Sequence, residues 1–318
     1  MAEITLLGEA LVLFTAEDLG PLSIVNKFTK SLAGAELNVA IGLSRLNHRP
    51  AYISQVGQDP FGDYIIQMLQ AMGVASQYIS QSKLGPTGIM FKNKVAEGDP
   101  KTLYYRSHSA FTHLQKEDIQ LNFKDMKIFH VTGIPPAINP QIREISFHLM
   151  KEARDQGILV TFDPNIRPAM WESQALMVET LNQLASLADI VLPGIDEAAV
   201  LTGSRDGQAI ADFYFDQGVQ AVVVKNGAEG ASLFEQGQPS QFILGYQVDH
   251  VVDSVGAGDG FATGVLHGLL TGQSLAQAVQ IGNAIGSLQV QNPGDNEGLP
   301  SEAELLAYMK EGRQDGYM

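Results

Sequence analysis

The chain has 318 residues, no cysteine, and 35 acidic against 20 basic side chains, for a formal charge of −15. That balance excludes nucleic acid and anionic membrane as principal partners, because both are held by basic surfaces. The lack of cysteine excludes disulfides, thiolate metal sites and cysteine nucleophiles, and it fits a reducing compartment.

Met1-Ala2-Glu3 leads straight into an apolar strand with no basic n-region, and no run of about 18 apolar residues occurs. The expectation is a soluble, cytoplasmic protein. In chain order, the first apolar run, Ile4–Leu7, predicts a buried strand. Residues 10–31 follow as irregular strand, and the apolar period at 36–47 predicts a helix. A strand at Ala51–Val56 and a helix over 61–72 continue the rhythm. Residues 86–110 break it, with strand-like alternation in Gly88-Ile89-Met90-Phe91 and Thr102-Leu103-Tyr104-Tyr105. Beyond them, strands at Lys127–Val131, Leu159–Phe162, Ile190–Leu192 and Ala221–Val224 are separated by helices over 139–156, 173–187 and 206–217. Two further helices are predicted over 257–271 and 274–289, and residues 309–318 read as a polar, frayed end. Buried strands alternating with helices indicate an α/β fold with a mainly parallel, doubly wound sheet. The two segments without helices, 10–31 and 86–110, would form a small β lid over one edge of the core. No repeat or linker divides the chain, so 1–318 reads as one domain.

Asp253-Ser254-Val255-Gly256-Ala257-Gly258-Asp259 is the most informative stretch. Small residues running into a helix start leave N–H groups without intrahelical partners, a setting that attracts anions and phosphate in particular. The plainer reading is a helix N-terminus kept small for packing, with Asp259 stabilised by the helix dipole. The functional reading makes Asp259 a general base beside a transferring phosphoryl group. Phe261 stands where a Rossmann loop needs its third glycine, and no Gly-Lys pair exists for a Walker loop. Upstream, Ala33-Gly34-Ala35-Glu36-Leu37-Asn38-Val39-Ala40 is either an ordinary helix start or a ligand site. In the second case Gly34 permits close approach and Asn38 bonds a sugar hydroxyl. The seven histidines show no metal-binding spacing.

The signatures at 33–40 and 253–259, with Gly57-Gln58-Asp59-Pro60-Phe61-Gly62 between them, resemble the ribokinase-like (pfkB) family of carbohydrate kinases over essentially the whole chain. The resemblance implies a three-layer αβα sandwich with a β lid used for homodimerisation. It implies Asp259 as catalytic base and the amides of Gly256, Ala257 and Gly258 as an anion hole. ATP would be bound by Lys225, Gly227, Gly230, Gly256, Gly258 and Asn283; the plain alternative for 225–230 is a hairpin turn. The family's Asn-x-x-Glu motif corresponds to Gly194-Ile195-Asp196-Glu197. Glu197 would therefore help place Mg²⁺ through water, while Gly194 replaces the asparagine. Asp253 stands where a monovalent cation such as K⁺ would bind beside the anion hole.

Substrate choice falls to the lid and to the loops facing the sugar. Arginine is scarce, with eight in the chain, and two of them, Arg106 and Arg167, lie in such segments. Guanidinium forks bind carboxylates bidentately, which favours a sugar acid over a neutral sugar. The alternative pairs both arginines with structural carboxylates or phosphate. Tyr104-Tyr105-Arg106, Asp163-Pro164-Asn165-Ile166-Arg167 with Trp171, and Gly294-Asp295-Asn296-Glu297-Gly298 resemble the 2-keto-3-deoxygluconate kinases of this family. Gly34, Asn38, Tyr104, Arg106, Arg167 and Asp259 would hold that sugar. One departure is that Ile89-Met90-Phe91 follows Thr87-Gly88 where the group offers a tyrosine, so the contact at Met90 is apolar. Fructokinase, ribokinase, nucleoside kinase and a non-catalytic sugar-binding regulator are the competing readings.

Overall fold

Apolar strands and amphipathic helices alternate along the computed structural model, which describes residues 2–96 and 100–312. The strands are β1 (Ile4–Leu7), β2 (Leu11–Leu19), β3 (Phe28–Ala33), β4 (Pro50–Gly57), β5 (Ile79–Ser82), β6 (Ile89–Lys94) and β7 (Thr102–Tyr105). They continue with β8 (Ile128–Thr132), β9 (Leu159–Asp163), β10 (Ile190–Val191), β11 (Ala221–Lys225), β12 (Gly230–Glu235) and β13 (Gln241–Leu244). The helices are α1 (Ala35–Arg45), α2 (Pro60–Ala71), α3 (Pro135–Ile138), α4 (Pro140–Asp155) and α5 (Gln174–Ala185). After them come α6 (Ile195–Thr202), α7 (Gly207–Phe215), α8 (Ala257–Leu270), α9 (Leu275–Gln289) and α10 (Glu302–Gly312).

Among the described residues the main sheet has nine strands in the order β13-β12-β11-β10-β9-β8-β1-β4-β5. The six strands expected from apolar runs form its parallel centre. β5 adds a parallel edge at one side, and β12 and β13 an antiparallel pair at the other. Because side chains alternate across a strand, each central strand feeds two cores. Leu7, Val131, Phe162, Val222 and Val224 pack with α4, α5, α6 and α7. Ile4, Leu6, Ile128, Ala221 and Val223 pack with α1, α2, α8 and α9. These helix layers on both faces make the three-layer αβα sandwich.

Small residues set how closely α8 and α9 approach. A side chain at Gly264 would lie 2.6 Å from the Cα of Gly282, so only glycine allows the crossing. The expected frayed end is instead helical through Gly312, and 313–318 lie outside the described residues.

The two segments that break the rhythm pair into a second sheet of order β3-β2-β6-β7. Leu11, Leu13, Ala33 and Met90 form a small core on it. Phe91 stacks on Phe14 at 5.3 Å and meets Phe28 and Tyr105 edge-on. Strand order in the main sheet reverses at the β1/β8 boundary, and in open α/β sheets ligands bind beyond the carboxyl ends of strands at such a point.

Candidate active site

A cavity of about 820 Å³ opens at these strand ends. Glu9 follows β1, Asp163 ends β9 and Lys225 ends β11, while Leu11, Met90, Thr102 and Tyr104 of the small sheet and Arg106, just past β7, line it from above. Gly34, Asn38, Arg167, Glu197, Gly256, Gly258 and Asp259 complete the meeting of the residues picked out in the sequence. Ala257, Gly227, Gly230, Asn283 and Asp253 are not in this lining.

The turn into α8 begins at Gly256 with φ of 79°, a left-handed conformation that favours glycine. A side chain there would also overlap the carbonyl oxygen of Asp295. No side chain caps the helix, which leaves the first-turn donors to a ligand. Ala257 spends its amide on the carbonyl of Ser254 at 3.4 Å. The Lys225 ammonium lies 4.0 Å from where a Gly258 side chain would begin, so a cation flanks the turn.

Asp259 stands in the first turn of α8, half-buried. Burial raises its pKa to about 7; the Asn38 hydrogen bond opposes this, and the Asp163 and Glu36 carboxylates add to it. Arg167 pulls modestly the other way. Asn38 was expected to face a sugar hydroxyl, yet its amide nitrogen donates to Asp259 Oδ2 at 2.8 Å. Its carbonyl oxygen accepts from Asn296 Nδ2 at 3.0 Å. Asn38 thus orients Asp259 and is itself fixed by Asn296.

The cations divide into engaged and available. Lys225 Nζ donates to Asp163 Oδ2 at 2.6 Å. Burial works against its charge, but Asp163, Glu197 and Asp259 more than reverse this and raise its pKa. Arg106 is bound by Glu9, whose Oε2 lies 2.7 Å from Nε and 2.6 Å from Nη2. The structural-carboxylate alternative therefore describes Arg106. Arg167 is exposed and makes no ion pair among the described residues, where its guanidinium bonds only the Ile166 carbonyl. It is the guanidinium that can receive an acidic ligand.

Glu197 caps its own helix start and ties it to a neighbouring loop: Oε2 accepts from the Gly194 amide at 2.7 Å and Oε1 from the Ile166 amide at 2.8 Å. An ionised carboxylate has about four acceptor sites, so capacity remains for water. Magnesium typically keeps several waters and takes one or two carboxylates plus substrate phosphates. Glu197 in the cavity wall fits a metal ion that arrives on a nucleotide.

Potassium at Asp253 does not fit. Asp253 Oδ1 accepts from the Val255 amide, and Oδ2 receives Lys92 Nζ at 2.6 Å. A side-chain ammonium already occupies the carboxylate. The nucleotide-binding expectations divide as well. Residues 225–231 form the turn that joins β11 to β12. Gly227 is exposed, and Gly230 backs onto the carbonyl of Ile243. Asn283 donates to the carbonyls of Ile243 and Leu244, pinning β13.

Sequence reasoning missed Glu9, the buried Glu36, whose pKa burial raises to about 7, and the roles of Lys92, Asp295 and Asn296. For Lys92 a signal existed: it lies two residues beyond Met90 in an alternating strand, hence on the same face.

A carboxylate with a near-neutral pKa beside an uncapped helix start, in a cleft rich in polar side chains, is the arrangement that phosphoryl transfer to a hydroxyl requires. Comparison with known proteins agrees. The sequence pattern of the pfkB family carbohydrate kinases matches residues 1–302. A 2-dehydro-3-deoxygluconokinase of Bacillus subtilis strain 168 is 46% identical over 304 residues, 95% of this chain and 94% of that one. A crystal structure of a PfkB protein from Polaromonas sp. JS666 superposes with a TM-score of 0.89 at 38% identity, covering 96% of this chain and 100% of that one. A fructokinase double mutant from Vibrio cholerae O395, solved with fructose, ADP and potassium, superposes with a TM-score of 0.86 at 28% identity, covering 97% and 98%. From its paired signatures to its sandwich and cleft, the chain belongs to the pfkB family of carbohydrate kinases.

Proposed function

We propose that this protein transfers the γ-phosphoryl group of ATP to the terminal primary hydroxyl of a sugar acid, 2-keto-3-deoxygluconate (also called 2-dehydro-3-deoxygluconate). The observation that carries the reading is the placing of Asp259, with its pKa near 7, beside the α8 turn, while Arg167 lines the same cavity with no ion pair among the described residues. The 46% identity to the 2-dehydro-3-deoxygluconokinase of Bacillus subtilis strain 168 supports the same acceptor.

The steps use the residues as they lie. Arg167 takes the substrate carboxylate and Tyr104 and Met90 pack against the carbon chain, leaving the far hydroxyl toward Asp259. Asp259, held by Asn38, accepts the hydroxyl proton as the sugar oxygen bonds the γ-phosphorus. The bond to the β-phosphate oxygen breaks and ADP leaves. Donors at Gly256 and Gly258, with the Lys225 ammonium, stabilise charge on the transferred group. Magnesium held near Glu197 would supply further neutralisation of the phosphate oxygens. The small sheet acts as a lid that excludes water, which otherwise competes as acceptor.

ADP release measured across a sugar panel with ATP and magnesium tests the proposal. The sugar acid should exceed fructose and ribose in kcat/KM by about tenfold or more, the worth of one good charged contact. Arg167→Met should erase most of that preference while sparing neutral sugars. A neutral sugar preferred by the wild type, or no sugar-stimulated ADP release, would sink the assignment.

The exposed side chains Leu19, Leu103 and Tyr105 and the edge strands β3 and β7 support a homodimer formed through the lid. Light scattering should give twice the chain mass, and a single-chain mass would remove this part. Dependence on ATP and the absence of cysteine support a cytoplasmic setting.

A further inference from the structure

Beneath the α8 turn lies a charge cluster that the transfer chemistry does not use. Lys92, on β6 of the lid, is 2% exposed, and its ammonium reaches Asp253 at 2.6 Å and Asp295 at 3.1 Å. Asp253 opens the stretch that ends in Asp259, and its other oxygen fixes the Val255 amide at 3.1 Å. Asp295 carries the carbonyl against which Gly256 packs. Gln289 ties the same two loops through the carbonyls of Gly294, at 2.9 Å, and Val255, at 3.5 Å. The two loops that shape the anion-binding turn thus meet on one lysine, and that lysine belongs to the lid.

A related fructokinase was solved with potassium bound. We infer that Lys92 is a tethered monovalent cation: its ammonium supplies in this chain the positive charge that a free cation would bring to Asp253, so the anion-binding turn is ordered without potassium and is joined to the lid. The inference rests on the family's turn acting as the phosphate site and deepens that reading.

The physical case has three parts. Two carboxylates buried together repel unless a cation lies between them, and Lys92 bonds both. Burial disfavours the Lys92 charge, yet Asp295 and Asp253 together outweigh it and raise its pKa, so the ammonium persists through neutral pH. A free cation entering here would meet the ammonium at close range, where like charges in a partly buried site repel strongly. The cluster therefore excludes the ion it replaces. Removing the lysine leaves two unpaired buried carboxylates, a strongly destabilised state that an external cation can relieve.

The test compares wild type with Lys92→Met in potassium chloride and in choline chloride at equal ionic strength. It reads thermal melting and ADP affinity by calorimetry, neither of which needs a sugar. Wild type should melt at the same temperature in both salts and bind ADP equally within about twofold. Lys92→Met should melt lower in choline, bind ADP about tenfold or more weakly there, and regain much of both in potassium, as expected of a ligand binding only the folded state. Wild type whose melting temperature or ADP affinity rises in potassium would overturn the inference. So would a Lys92→Met protein as stable and as indifferent to potassium as wild type. If the variant does not fold in either salt, the wild-type comparison alone decides. Absence of ADP binding in every salt would count against the kinase reading, and the melting comparison would still decide this one.

Discussion

Asp259→Asn should lower kcat by about 10²–10⁴-fold, the usual worth of a positioned general base, while ADP and sugar affinities stay within a few fold. The substitution keeps shape, and the new amide oxygen can still accept from Asn38 Nδ2, which lies 2.8 Å from Asp259 Oδ2. The capacity to take a proton is what disappears. Loss of kcat with binding retained marks an interaction made in the transition state. Single-turnover rates and calorimetry separate the two, and near-normal turnover would remove Asp259 from the mechanism.

Gly256→Ala should be the most damaging substitution that removes no functional group. Its φ of 79° costs an L-residue roughly 1–2 kcal/mol, and the added methyl overlaps the carbonyl of Asp295. Asp295 cannot simply retreat, because Lys92 and the Gln289 contact to Gly294 hold its loop. The turn must move instead, and its donors with it. We expect kcat/KM to fall by about 10²-fold, as when an oxyanion donor is lost, along with a drop of several degrees in melting temperature. Gly157→Ala is the control: φ is 72° and no atom of the described residues lies within 4 Å of the new methyl. It should show the melting effect of backbone strain and leave activity intact. Equal activity losses in both variants would contradict the steric argument.

The parallel centre of the fold was legible because fully buried strands such as Val222–Val224 carry continuous apolar runs. The missing elements share weak patterns. β5 reads Ile-Ser-Gln-Ser and β13 Gln-Phe-Ile-Leu, edge strands with little buried surface. α10 buries only Leu305 as a hydrophobic anchor, so its polar end reads as frayed until its packing against α9 is known. In the site, Gly256–Asp259 was readable because the chemistry lies within one turn. Pairings across the chain were not. Asn38 and Asp259 are 221 residues apart, and only the packing of α1 on α8 shows that one serves the other. Arg106 and Arg167 look alike in the sequence, and Glu9, a single carboxylate after β1, separates the engaged one from the available one.

The central claim is that Asp259 must be ionised to accept the sugar's proton. Its pKa is raised, to about 7, so the active base form is scarce at acid pH and predominates above neutrality. The most direct measurement is kcat/KM for the sugar acid from pH 5.5 to 8.5 at saturating nucleotide, for wild type and Asp259→Asn together. The account predicts a wild-type rate that rises about tenfold per pH unit below about 7 and levels above it, with the variant low and nearly flat. A wild-type profile flat through neutrality, or a variant that keeps the same rise, would contradict it.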